Sequence, residues 1–204
     1  MLGLVGVAMA VLAASPLPDM DAAVLAEVNR ARTAPRAYAE VLRDYRRHYR
    51  GRVVDDPGDP GYRTTSEGVR AVDEAIRFVE RQPPLPPLSA ADVLAAAAGD
   101  HAAAQGARGD VGHVSADGAT PGDRVRRRGG GPYMSETIAY GSTNPVAVVR
   151  QLIIDDGVRD RGHRAVIFDP RLRFAGVGCG PHPVYIALCV IDFSATPDGR
   201  PAPR

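Results

Sequence analysis

"FAGVGCG" (174–180) and "VYIALCVIDFSA" (184–195) are the stretches on which the fold class turns. Both are short and apolar, and only "PHP" (181–183) separates them. They read as two strands joined by a turn, and so as an antiparallel hairpin. Everything upstream has a different period. "MDAAVLAEVNRAR" (20–32) sets Ala23, Leu25, Val28 and Ala31 near one helical stripe, with Asp19 or Asp21 as its cap. A second helix restarts after Pro35 and carries Tyr38, Val41, Leu42 and Tyr45 on one face. Helices first, then antiparallel strands with helices interleaved, predicts an α+β protein rather than a doubly wound α/β sheet.

The middle of the chain adds detail. "GRVVDDPGDPGYRTTS" (51–66) is rich in Gly, Pro and Asp and reads as an exposed loop. Ser66 is positioned to cap a third helix through Val69, Val72, Ile76 and Val79, and "QPPLPPL" (82–88) breaks it into an extended connector. Ser89 and Asp92 resemble a capping box that opens an alanine-rich helix over 89–107, ending near Gly106 or Gly109. "YMSETIAYG" (133–141) reads as a strand, and Asn144 followed by Pro145 is a well-formed helix start. The tail from 197 to 204 is expected to be disordered.

The 204 residues suit one domain with a single sizeable core. A composition of 45% hydrophobic and 24% charged residues is that of a globular chain. With 25 basic and 24 acidic residues the charge nearly cancels, which gives no reason to expect nucleic acid as a partner. All the basic residues are arginine. "LGLVGVAMAVLAAS" (2–15) is too short to span a bilayer, where ~20 residues are needed. It fits the apolar and cleavage regions of a secretory signal, cut near Ala13 to Ser15, although no Arg or Lys precedes it. A buried N-terminal helix is the alternative. The mature chain is then expected to be extracytoplasmic, with no integral membrane segment. Cys179 and Cys189 form an even pair on facing strands. They read either as one disulfide, with a bulge bringing them into register, or as two small buried apolar residues.

The chemistry centres on "DDGVRDRGHR" (155–164). Asp155 and Asp156 end a helix, where the dipole disfavours anions, and Arg159, Arg161 and Arg164 are at hand to offset them. His163 follows, while His113 and Glu136 sit in other elements. Two imidazoles and one or two carboxylates suffice for zinc or a similar divalent ion, or for acid–base work. Against that, no close ligand spacing is present, and solvated histidines are the competing reading. His101 is read as facing solvent or standing behind the cleft. "RVRRR" (124–128) is read as a solvated helix face. Ser115 and Ser135 lack a nucleophile-elbow pattern.

Four motifs in order, "LAEVNRARTAPRAYAEVL" (25–42), "GHVSADGATPGDRV" (112–125), "SETIAYG" (135–141) and "RGHRAVIFDPRLRFAGVG" (161–178), resemble the CAP superfamily. That group comprises cysteine-rich secretory proteins, antigen 5, plant pathogenesis-related proteins and bacterial SCP-domain proteins. The likeness spans roughly residues 21–195 and is faint over 50–88. It implies a three-layer α-β-α sandwich with a mainly antiparallel central sheet, one domain over 16–196. It also implies a wide cleft lined by two histidines and two acids. Carried over by motif, the histidines are His113 and His163 and the first acid is Glu136; Asp155 or Asp156 is the nearest candidate for the second. The chain departs from the family pattern in having Thr137 after that glutamate, Val166 in the "GHR" motif, and no tryptophan.

The resemblance implies a secreted binding module. Its cleft would hold zinc or another divalent cation on His113 and His163, with no organic cofactor, and a small apolar, lipid-like or peptide ligand nearby. The alternative is a metal-assisted hydrolase acting on peptides or cell-wall material, with Glu136 as base. No strong catalytic signature supports the alternative, so the reading leans toward binding.

Overall fold

Strand alternation decides how the layers stack. In the computed structural model, which describes residues 19–58 and 61–201, the chain runs α1 (Met20–Thr33), α2 (Pro35–Arg46), β1 (Tyr49–Arg50), β2 (Val53–Asp55), β3 (Tyr62–Thr64), α3 (Val69–Arg81), β4 (Ser89–Ala90) and α4 (Asp92–Arg108). It continues through α5 (Pro121–Arg127), β5 (Met134–Tyr140), α6 (Pro145–Ile154), α7 (Gly162–Ile167), β6 (Phe174–His182) and β7 (Ile186–Ser194). The signal-like segment 2–15 lies outside the described residues. The main sheet has the order β4-β6-β7-β5. Its β6–β7 and β7–β5 pairs are antiparallel, and β4 joins β6 in parallel over two residues. This is the α+β sandwich the sequence implied.

On β7, Cys189, Ile191 and Phe193 face one side, and pack with Val24 and Val28 of α1, Tyr38 and Leu42 of α2, and Leu152 and Ile153 of α6. Leu188 and Val190 face the other side and meet Ala98 and Ala102 of α4. The second contact is unusually close. A Cβ added to Gly176 would lie 1.9 Å from the Ala95 backbone nitrogen, and one added to Gly178 would lie 2.3 Å from that of Gly99. The α4 backbone therefore rests on the β6 backbone, which requires glycine on the strand and small residues on the helix.

Several local expectations are corrected. The 51–66 stretch is no simple loop, because it carries β2 and β3, which join β1 just before it in a small antiparallel sheet. Ser89 opens no capping box; its backbone instead donates to Arg173 O at 2.8 Å as part of β4, and α4 starts at Asp92. Gly68, not Ser66, precedes α3 as its cap. α4 ends at Arg108, with Gly109 left-handed at φ 77°. β6 runs on to His182, so the turn falls later than "PHP" and places Cys179 directly opposite Cys189. The two are disulfide-bonded, with their Cα atoms 4.1 Å apart, and no bulge is needed. Residues 198–200, expected in a disordered tail, lie against the 129–133 segment. Gly131 N–H donates to Asp198 O at 2.8 Å and Tyr133 N–H to Gly199 O at 2.9 Å.

Candidate functional site

Asn144 accepts N–H bonds from Val146 and Ala147, and with Pro145 it starts α6 as the sequence suggests. α6 then ends at Asp155, whose φ of 57° turns the chain sharply toward α7. In that turn the Asp155 carboxylate accepts the His163 backbone N–H at 2.9 Å and bonds His163 Nδ1 at 2.7 Å. An acid at the disfavoured end of a helix is thus offset by donors arriving from the next one. Asp156 does something else. Its two oxygens accept the Ser66 and Glu67 backbone N–H groups at 2.6 and 2.8 Å, tying the turn to the start of α3.

His113 comes from the loop after α4 and bonds Glu136 Oε1 through Nδ1 at 2.8 Å. Glu136 Oε2 takes the Arg124 guanidinium of α5. α5 is started by a capping box between Thr120 and Asp123, with Pro121 in the first turn. That start turns Arg124 inward. Here the "RVRRR" reading is corrected: Arg126, Arg127 and Arg128 are exposed, but Arg124 is buried. Arg124 also donates to His113 O at 2.9 Å and to Ser115 Oγ at 3.1 Å.

The carboxylates of Glu136 and Asp155 are 1% and 2% exposed, whereas the His113 and His163 side chains are 49% and 26% exposed. Each imidazole is thus anchored from behind by a buried acid and open in front. A histidine that donates Nδ1–H to a carboxylate has its lone pair on Nε2. Neither Nε2 has a partner among the described residues. The two rings stand 6.4 Å apart, centroid to centroid, at 37°. His113 and His163 therefore stand close together, each backed by its own buried acid, Glu136 or Asp155. Asp156 borders a cavity beside His163, but its carboxylate is committed elsewhere.

Three further residues lie around these two units; His101 reads from the sequence as either solvated or standing behind the cleft, and Asp192 has no role assigned there. His101 is fully enclosed rather than solvated, and its Nε2 bonds Gly112 O at 2.9 Å while Nδ1 lies 3.1 Å from Ser115 Oγ. Burial pushes its pKa down, keeping it neutral, with Nε2–H donating and Nδ1 accepting the serine proton. Asp192 lies directly across from Glu136 in the β5–β7 ladder, fully buried, and neither of its carboxyl oxygens has a hydrogen-bond partner among the described residues. Burial first, and the Glu136 charge second, push its pKa well up, which favours the neutral form of this acid. The signal for it was available: a lone acid inside the apolar run "ALCVIDFSA". Arg161, read from the sequence as at hand to offset Asp155 and Asp156, is the third, and its ion-pair partners are two glutamates instead. It bonds Glu67 at 2.6 Å and Glu74 at 2.8 Å, while Arg164 bonds Glu74 at 2.7 Å.

A sequence model described as the cysteine-rich secretory protein family, CAP, matches residues 25–193. The chain belongs to this family. Two solved structures are similar to parts of it. One is an extracellular protein containing an SCP domain from Bacillus anthracis, 22% identical, with a TM-score of 0.45 over 62% of this chain. This chain covers 37% of that protein's length. The other is an outer surface protein from Borrelia burgdorferi, 20% identical with a TM-score of 0.45, over 53% of this chain and 77% of that one. No curated protein matches the chain.

Proposed function

We propose that this CAP-domain protein works outside the cytoplasm as a binding module, holding a divalent cation such as zinc between His113 and His163 and presenting it to a small apolar, lipid-like or peptide ligand. The observation that carries this reading is the matched pair of carboxylate–histidine units. A buried acid fixes each ring through Nδ1 and leaves Nε2 as a ready donor atom, which is how metal-ligating histidines are usually supported. The donor set fits a borderline-soft ion such as zinc. It also limits the affinity, because no group of three His, Cys, Asp or Glu side chains among the described residues is arranged to hold a metal. Two protein ligands leave the remaining positions to the bound partner. The Cys179–Cys189 disulfide supports an oxidising compartment.

The hydrolase alternative needs Glu136 as a base, and Glu136 is poorly suited. Its side chain is buried, one oxygen is engaged by His113 and the other by Arg124. The test is zinc titration by calorimetry. Wild type is expected to bind one ion per chain, and the His113→Ala, His163→Ala double variant to lose that binding. Equal affinity in the double variant would remove the cation site from the proposal.

A further inference from the structure

β5 is an edge strand of the main sheet, with β7 as its neighbour on one side only. We propose that its free edge, from Glu136 to Tyr140, takes up an extended peptide as an added strand beside the two imidazoles. The inference deepens the proposed function: it rests on that reading's peptide class of ligand and names how such a ligand is held.

The register shows which main-chain groups are free. Gly141 N–H donates to Ala187 O at 2.9 Å, and from there the pairing runs back without interruption to Met134 opposite Ser194. Bonded and non-bonded pairs alternate along an antiparallel ladder. Ser135, Thr137 and Ala139 therefore turn their N–H and C=O groups toward β7, whereas Glu136, Ile138 and Tyr140 turn theirs away from it. The far side of β7 fits the same alternation. Cys179 and Cys189 approach to 4.1 Å between Cα atoms, the spacing of a non-bonded pair, so Cys189 is bonded toward β5 instead. Among the described residues nothing bonds the outward N–H and C=O groups of Glu136 and Ile138.

This edge is open. The Glu136 side chain is 1% exposed, yet the residue as a whole is part-exposed, so its exposed surface is main chain. Ile138 lines, with His163, a cavity of about 250 Å³, and Tyr140 lines a further hollow with Tyr62 and Tyr185. Long regular edges are normally blunted by a bulge, a proline or a charge. β5 has neither bulge nor proline, and its one charged side chain, Glu136, is engaged by His113 and Arg124. The opposite edge of the sheet is treated differently: β4 pairs with β6, and Asp21 accepts the Cys179 N–H at 2.8 Å.

A run of free donors and acceptors at this spacing is the complement of another extended main chain. α5 packs on β5 from the layer of α4, and α6 and α7 pack on it from the layer of α1. The edge is thus flanked on both faces, which admits a single strand more readily than the sheet of a second copy. The cavity beside His163 has room for one peptide side chain. Charges on its wall are matched within the chain, Arg150 by Asp56, Asp155 by His163 and Asp156 by two backbone N–H groups, so that side chain is an uncharged one.

The probe is an acetylated, amidated peptide of alternating Thr and Val with a lysine at each end. It is added to the whole protein in the presence of a chelator and followed by calorimetry and amide NMR. We expect binding, with exchange of the Glu136 and Ile138 amides slowed about tenfold or more, while Thr137 and Ala139, already paired to β7, stay as they were. N-methylation at every second residue leaves the peptide one free edge and should retain binding. N-methylation at consecutive central residues blocks both edges and should weaken binding about tenfold or more, because several main-chain bonds are lost. Absence of binding, equal binding by the peptide blocked on both edges, or unchanged exchange at Glu136 and Ile138 each overturns the strand site. So does protection of those two amides that rises with protein concentration without peptide, which would assign the edge to a second copy of the chain. A parallel zinc titration keeps the two readings apart. Zinc binding without peptide binding removes this inference and leaves the cation site, and peptide binding without zinc binding does the reverse.

Discussion

His163 is oriented by a carboxylate eight residues earlier in the chain, inside a single turn between α6 and α7. His113 is oriented by one 23 residues later, on a central-sheet strand, and that carboxylate is held in turn by Arg124 of α5 and stands across from Asp192 of β7. Both rings end with Nδ1 tied and Nε2 open. The first arm needs only a left-handed Asp155 and two donors from the next helix. The second needs the sheet, α5 and the loop after α4 to be in place together. The same local chemistry therefore has a short-range and a long-range solution at two neighbouring histidines, and the two should fail differently.

The largest expected effect breaks the long-range arm. Arg124→Leu would leave Glu136 buried without its cation, across the ladder from Asp192. A cost of about 3–5 kcal/mol is expected in denaturant unfolding. A loss below about 1 kcal/mol would mean that Glu136 simply takes up a proton or water. Breaking the short-range arm is expected to cost less. Asp155→Asn keeps a residue type that tolerates the left-handed backbone and one acceptor oxygen. About 1–2 kcal/mol should be lost. The His113 ring signals should stay in place in NMR spectra, and their movement would show that the two arms are coupled.

Asp192 sharpens the comparison through pH. Its pKa is raised in the folded state, so its contribution to stability is present below the ordinary value of 3.8 and is lost as pH rises toward its folded value. Asp192→Asn should therefore flatten the fall in Tm across that window and leave the protein at least as stable near neutrality. A steeper fall in the variant would contradict the neutral acid. The smallest effect concerns the ion pairs that tie the α6–α7 turn to α3. Glu67 is held down to about 2, first by the Arg161 guanidinium and then by the Gly157 N–H. Its contribution is present above its ordinary value of 4.5 and fades as pH falls toward 2. Glu67→Gln should remove a small, salt-sensitive part of the acid slope and leave the rest of the Tm profile unchanged.

How much of this the sequence discloses follows the same division. Local signals are legible: the Asn144–Pro145 start of α6, the apolar stripes of α1 and α3, and the two facing strands with their cysteines. The order of four motifs also brings His113, Glu136 and His163 to attention. What separates Asp155 from Asp156 is a single left-handed residue, and two adjacent acids look alike until the direction of the turn is known. Arg124 is hidden among its exposed arginine neighbours, although the Thr120–Asp123 capping box fixes where α5 starts and so which arginine faces inward. The role of Asp192 depends on a cross-strand partner more than fifty residues away, and no local period encodes it. The 51–66 sheet is missed because two- and three-residue strands carry too little alternation to stand out from turn residues.

The glycines of β6 have a further consequence. Because α4 lies backbone to backbone on Gly176 and Gly178, a slip of the strand by one residue would drive Ala175, Val177 or Cys179 into the helix, where even a single methyl has no room. The contact thus acts as a template that accepts one alignment of β6 and rejects its neighbours. It selects the Cys179–Cys189 match geometrically, so the disulfide locks an alignment that the helix has already chosen.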